Sequence, residues 1–243
     1  MKAIQRAACT AGLSDGLASM LIFVLAFVLA GCGSLLPSPP PTPSFYRLGS
    51  VGPALRDQPL SAIGPTLLVH PMRAASGFDS THIVYSRSPS QLEHFARSEW
   101  ADTPARMLAP WLVEVLIAEL VGSEGKGGSG SSGSSGSSGN SGGSGGVGAV
   151  LLAPSSALND YSLDTDLIRL QQDFSVQPSQ VRLTLRVTLI QTSTRRVLGV
   201  REFDASQPSA TDDPRGGVQA AQAAAARVLQ EVAQFCKRAL PVK

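Results

Sequence analysis

Few side chains in this sequence have the types and spacing that chemistry needs. His70, His82 and His94 are its three histidines, twelve residues apart. No pair stands at i, i+3 or i+4, as a zinc helix would require, so they read as ordinary histidines rather than metal ligands. Asp164 and Asp166 could form an acid pair, but carboxylates alternating along an exposed strand are usually solvated. Arg182 and Arg186 share one face of a strand and could hold lipid phosphates or a partner's acids; a wet sheet face is the plainer reading. Gly139-Asn140-Ser141-Gly142-Gly143 fits the G-x-S-x-G pattern of hydrolases, and Gly125, Gly127 and Gly130 fit G-x-G-x-x-G. Both chemistries need a strand entering the motif and a helix leaving it. Low-complexity sequence surrounds the first and no helix follows the second. Nucleophile, base and orienting group do not assemble, and no Walker motif is present, so the chain reads as neither an enzyme nor a cofactor binder.

The residue whose chemistry does stand out is Cys32. Leu17 to Ala30 is an apolar or small-residue run of fourteen, short of the roughly 20 that a spanning helix needs. Lys2 and Arg6 precede it, and Asp15 lies just before it. A basic start, a short apolar core and small residues at its end read as a secretory signal peptide. Leu29-Ala30-Gly31-Cys32 resembles a bacterial lipobox. In such lipoproteins the thiol carries diacylglycerol, the chain is cut before the cysteine, and the new amine is acylated, as with palmitate. Residues 1–31 are then a lipoprotein signal peptide, with Cys32 the first mature residue and the lipidation site. Two or more acyl chains anchor stably where one does not. Gly33 and Ser34 follow, with no aspartate to signal inner-membrane retention, so the expected place is the outer membrane, facing the periplasm.

Residues 32–44 read as the lipid anchor and a Pro-rich tether. Pro37 to Pro43 favours polyproline II, and Gly33 to Ser44 could then span about 35 Å. Removing residues 1–31 leaves 212 residues, enough for one full core. It also removes Lys2, Arg6 and Asp15, which lowers the formal charge from +2 to +1 and argues against a nucleic-acid surface. Cys9 leaves with the signal and Cys32 is lipidated. Cys236 remains without a disulfide partner, at an apolar helical position.

The elements follow from periodicity. Phe45 to Gly49, Thr66 to His70, Thr81 to Arg87 and Ala149 to Ala153 read as strands, with a turn at Ser88-Pro89-Ser90. Gln91 to Trp100 and Leu163 to Phe174 fit strand and helix alike. Val181 to Leu189 alternates apolar with polar residues and is the clearest strand; Thr192 to Arg195 turns it into a partner at Val197 to Phe203. Thr103-Pro104 and Asp213-Pro214 each read as a cap followed by proline at the first helical position. The first helix should reach about Val121. Pro110 either kinks it or marks where its regular part begins. Val218, Ala221, Ala225, Val228, Leu229, Val232 and Cys236 line one face of the closing helix. These elements predict a single α/β domain, a mixed and largely antiparallel sheet of six or seven strands packed with two main amphipathic helices.

Several stretches in order carry a resemblance: Phe45-Tyr46-Arg47-Leu48, Ile83-Val84-Tyr85-Ser86-Arg87, Leu92-Glu93-His94-Phe95, Trp100-Ala101-Asp102-Thr103-Pro104, Asp166 to Phe174, and the Val181 to Leu189 strand. Together with the Ala-rich helix opening at Val218, they resemble the ABC-type transport auxiliary lipoprotein family, the PqiC/YmbA-like proteins. The resemblance covers about residues 45–240, interrupted by an expected disordered Gly/Ser loop at 122–148. It implies a non-enzymatic, lipid-anchored periplasmic auxiliary subunit of an MCE-type ABC transport system, which moves phospholipids or other hydrophobic molecules between the membranes. The implied partners are an MCE-family periplasmic protein with its ABC permease and ATPase, the membrane through the anchor, and further copies of the chain in a homo-oligomer. No nucleic acid or cofactor is implied, and only Cys32 transfers as a site. The other reading is an envelope scaffold or assembly lipoprotein with no direct role in lipid transfer; an anchored hydrolase lacks its catalytic set.

Gly127 to Gly146 is Gly and Ser apart from Asn140, so it cannot bury apolar area. It joins a helix to a strand and reads as an expanded surface loop; a domain linker is the other reading. Loop closure costs only about 0.6 kcal/mol per doubling of length. Deleting residues 127–146 should therefore shift the thermal unfolding midpoint little, and a large fall would show that the tract does more than connect.

Overall fold

A computed structural model describes residues 42–49, 64–121 and 147–241. The chain divides into two compact units, Met1–Thr42 and Pro43–Lys243, and the described residues, Thr42 apart, belong to the second. The signal peptide, Cys32, most of the tether and the Gly/Ser tract lie outside the described residues.

Among the described residues the sheet has nine strands: β1 Ser44–Tyr46, β2 Thr66–Val69, β3 Arg73–Ala74, β4 His82–Ser88, β5 Gln91–Trp100, β6 Ala149–Leu152, β7 Tyr161–Asp173, β8 Gln180–Gln191 and β9 Arg196–Pro208. Two helices join them, α1 Pro104–Leu116, which widens into a π-helical turn at Ile117–Val121, and α2 Pro214–Ala239. Every expected strand is present. The extra ones are β3, two residues long, and the two segments whose periodicity was ambiguous, β5 and β7.

β7 organises the sheet. Along one edge it pairs antiparallel with β8 over its whole length, and β8 pairs antiparallel with β9. Along its other edge β2, β3 and β4 follow one another, all parallel to it. β6 extends the sheet beyond β2, and β5 and β1 extend it beyond β4. The sheet is thus mixed, and its two longest ladders are antiparallel.

The ambiguity of β7 has a physical cause. The register shifts between Leu167 and Arg169, which leaves Ile168 as a bulge. Tyr161, Leu163 and Leu167 face the core before the bulge, and Leu170 faces it after. An added residue turns a period of two into a local step of three. Leu163, Leu167 and Leu170 then mimic helical spacing.

Both helices share a core with the inward sheet face. Val181, Leu183, Leu185, Val187 and Leu189 of β8 are all buried, as their alternation requires. Thr184 is buried too, although the alternation places it on the wet side; its hydroxyl donates to Asp204 Oδ1 of β9. α2 packs across β8 and β9, and α1 packs against α2 and β6. All seven residues read as the core stripe of α2 are buried. Small side chains let α2 approach closely. A Cβ on Gly199 of β9 would stand 2.9 Å from the Phe235 ring.

The helix starts fall where the Pro residues place them. Asp213 caps α2 by accepting from Gly216 N at 2.7 Å, and this, with the Thr211 hydroxyl, holds its carboxyl below the usual range. Thr103 precedes α1 but makes no side-chain cap bond. Pro110 lies inside α1, so the helix does not begin there. Proline in a helix interior costs about 3 kcal/mol. Leu108, Leu112 and Leu116, all fully buried, offset that cost, since burying each leucine stabilises by about 1.5–3 kcal/mol.

Gly216 supplies a signed test. Glycine inside a helix is usually worse than alanine by about 1 kcal/mol. Here an added Cβ would sit 2.2 Å from the Thr211 carbonyl oxygen, a backbone atom that cannot step aside. Gly216→Ala should therefore destabilise the fold by denaturant unfolding, against the direction of helix propensity.

Candidate functional site

The sheet face turned away from the helices is polar, and β7 and β8 carry most of it. Asp164, Asp166, Arg169, Gln171 and Asp173 of β7 stand beside Thr188, Arg186, Thr184, Arg182 and Gln180 of β8. Charges here are largely neutralised in place. His70 Nδ1 bonds Asp164 Oδ1, and Arg73 Nε donates to Asp166 Oδ1 at 2.8 Å. Asp164 and Asp166 therefore share a face but engage different partners, His70 and Arg73. Arg186 likewise takes Glu202 of β9 at 3.1 Å, and Arg182 Nε lies 3.2 Å from Asp173 Oδ2.

Asp173 is the most enclosed of these carboxylates. Burial pushes its pKa up. The hydroxyl and backbone N–H of Ser175, with Arg182 and Arg169 nearby, outweigh burial and bring it below the usual carboxylate value. Its Oδ1 accepts from Ser175 N at 2.9 Å and from Ser175 Oγ. Alongside, Gln171 Nε2 donates to Ser86 Oγ at 2.9 Å and ties β7 to β4. Sequence reasoning picked out Arg182 but missed Asp173, Ser175 and Arg169. The signal for them was Arg169-x-Gln171-x-Asp173, an alternating polar set hidden by the ambiguous periodicity of β7.

The histidines divide two and one. His82 stacks on His94 with centroids 4.5 Å apart, while His70 lies with Asp164. The turn at residues 89–90 falls close to midway between His82 and His94, so the hairpin brings them together. Among the described residues no group of three or more His, Cys, Asp or Glu could hold a metal ion. Within the hairpin, Tyr85 and Phe95 form an aromatic cluster with Phe174. The Tyr85 hydroxyl donates to Glu93 Oε2 at 2.9 Å; that bond and burial raise its pKa. A second, buried network closes the start of α2: Gln172 Nε2 donates to Ser179 Oγ at 2.9 Å, and Ser179 N donates to Asp212.

What the fold and surface define is an α/β domain with one sheet face sealed by two helices and the other polar and ion-paired. Residues 143–233 match the family described as the ABC-type transport auxiliary lipoprotein component. The matched span runs from β6 through most of α2, and the family is the one that the sequence resembles. The family is a transport component rather than an enzyme family. Among solved structures, protein XCC0632 from Xanthomonas campestris, assigned to DUF330, is 21% identical with a TM-score of 0.58, over 82% of this chain and 94% of that one. An uncharacterized protein is 15% identical with a TM-score of 0.55, over 80% of this chain and 99% of that one. At these identities the likeness carries the fold alone. No curated protein matches the chain by sequence. Among the described residues no helix is long and apolar enough to cross a membrane.

Cys236 is fully buried in α2, and burial pushes its thiol up to about 12. At pH 8 only about one molecule in ten thousand would carry the thiolate. In a chain with Cys9→Ala and Cys32→Ala, a thiol reagent should find no reactive group until denaturant is added. Stoichiometric labelling of the native chain would show that the core around Cys236 opens.

Proposed function

We propose that this chain is a lipoprotein anchored through Cys32 to the outer membrane, its body in the periplasm, and that it serves as auxiliary subunit of an MCE-type ABC transport system. The observation that carries the reading is the family match over residues 143–233. The apolar run ending at Leu29-Ala30-Gly31-Cys32 supports the anchor, and the proline-rich segment to Ser44 supports a standoff from the membrane. The body, residues 45–240, then acts by docking. It meets the MCE-family partner of the permease and ATPase, as a homo-oligomer, and helps phospholipid or another hydrophobic cargo pass between the membranes.

Two measurements test this. Cys32→Ala should abolish incorporation of labelled fatty acid and remove the protein from the outer-membrane fraction; persistent labelling would sink the anchor assignment. The lipidated chain, purified from membranes, should bring down an MCE protein, and deleting its gene should slow lipid transfer between the membranes. Absence of that partner with unchanged transfer would leave a scaffold or assembly lipoprotein as the better account.

A further inference from the structure

On the polar sheet face, one arginine breaks the pattern of local neutralisation. Arg73, Arg182 and Arg186 each lie against a carboxylate. Arg169 is half-buried and makes no hydrogen bond or ion pair among the described residues; its charge is felt by Asp173 only through space. A guanidinium that no carboxylate of the chain engages is free to take an anion as a bidentate partner.

Arg169 opens onto a cavity of about 340 Å³ shared with Ser86, Gln171, Asp173, Ser175 and Arg182. Gln171 pairs across the sheet with Arg182, and Arg169 with Thr184, so the two arginines are diagonal neighbours on adjacent strands. Diagonal positions lie about 7–8 Å apart, within reach of one ligand held between two long side chains. Arg182 is also incompletely used. Its buried Nε lies 3.2 Å from Asp173 Oδ2 but out of line, and makes no hydrogen bond. Ser86 Oγ accepts from Gln171, which leaves the Ser86 O–H free to donate. Asp173, with Oδ1 committed to Ser175 and Oδ2 facing Arg182, offsets one of the two positive charges. Among the described residues Asp173 is the one carboxylate lining the cavity, and other carboxylates of the neighbouring strands are engaged elsewhere: Asp166 with Arg73, Glu202 with Arg186, Asp204 with Thr184, and Glu93 with Tyr85 and Arg87.

We propose that this cavity, between Arg169 and Arg182 and floored by Ser86 and Gln171, binds a single phosphate-type oxyanion. Two guanidinium groups with a hydroxyl donor match tetrahedral oxygens bearing one or two negative charges. The net charge of the site, one positive, is complementary without being a diffuse basic patch. The space, about 340 Å³, is large enough for a phosphate-sized group. The ligand chemistry is shared by free phosphate and by the phosphodiester of a phospholipid head group. The assignment does not depend on the transport reading, and a failed pull-down leaves it standing.

The test is calorimetric titration of the full chain in nonionic detergent with two probes, inorganic phosphate and glycerophosphoglycerol, a deacylated head group. At least one should bind saturably. Arg169→Gln should weaken that binding about tenfold or more while the fold stays intact by thermal melting, because its side chain loses no hydrogen bond or ion pair and only its through-space effect on Asp173 goes. Ser86→Ala should weaken it less. Arg186→Gln, on the same face but paired outside the cavity, should leave it unchanged. Tighter binding of inorganic phosphate assigns a soluble anion, and tighter binding of the diester assigns a head group; both support the site. Failure of both probes to bind, or equal weakening by Arg186→Gln and Arg169→Gln, overturns it.

Discussion

β7 is hydrogen-bonded along both of its edges, and every other strand takes its place from it directly or through one or two neighbours. One edge holds β8 throughout. The other is divided among β2, β3 and β4, which meet it at residues 161–163, 166–167 and 172–173. A strand inside a sheet must bury one face and satisfy both rows of backbone groups. The bulge at Ile168 is what lets so long a strand do both. It restores the inward phase for Leu170 while bending the strand. The same bulge sets the outward phase, and so places Arg169, Gln171 and Asp173 side by side on the wet face.

Much of this was readable in the residues, for identifiable reasons. β8 alternates strictly because helices cover one of its faces and water meets the other. α2 announces itself twice, by Asp213-Pro214 at its start and by a stripe from Val218 to Cys236 along its length. β5 and β7 were not separable from helix by period, because register shifts break their alternation. Pro110 misleads in the opposite direction. A local rule places a helix start or kink there, and three fully buried leucines carry the helix through it. β3 is two residues long, and nothing so short leaves a periodic trace.

The polar face was less legible than the core. Arg182 and Arg186 could be placed together because β8 is regular. Their partners could not, since Asp173 lies on β7 and Glu202 on β9, and pairing across strands depends on a register that single residues do not encode. Ser86 comes from a more distant part of the chain, carried in by β4. The spacing of twelve between His82 and His94 did hold information, about a hairpin.

The connectivity around β7 also orders assembly in time. β7, β8, β9 and α2 are consecutive and meet through short turns, whereas β2 waits for a partner in β7 some 94 residues further on. Contacts between near neighbours form with little loss of chain entropy, and distant ones form late. The C-terminal half, which is also the span that carries the family match, can therefore build the template. Among the earlier strands β4 and β5 can pair locally as a hairpin, but β2, though made earlier, remains without a partner until that template exists. Its edges are exposed to wrong pairings in the interval. Pulse-labelled hydrogen exchange would read this order directly, with protection in β8 preceding protection in β2.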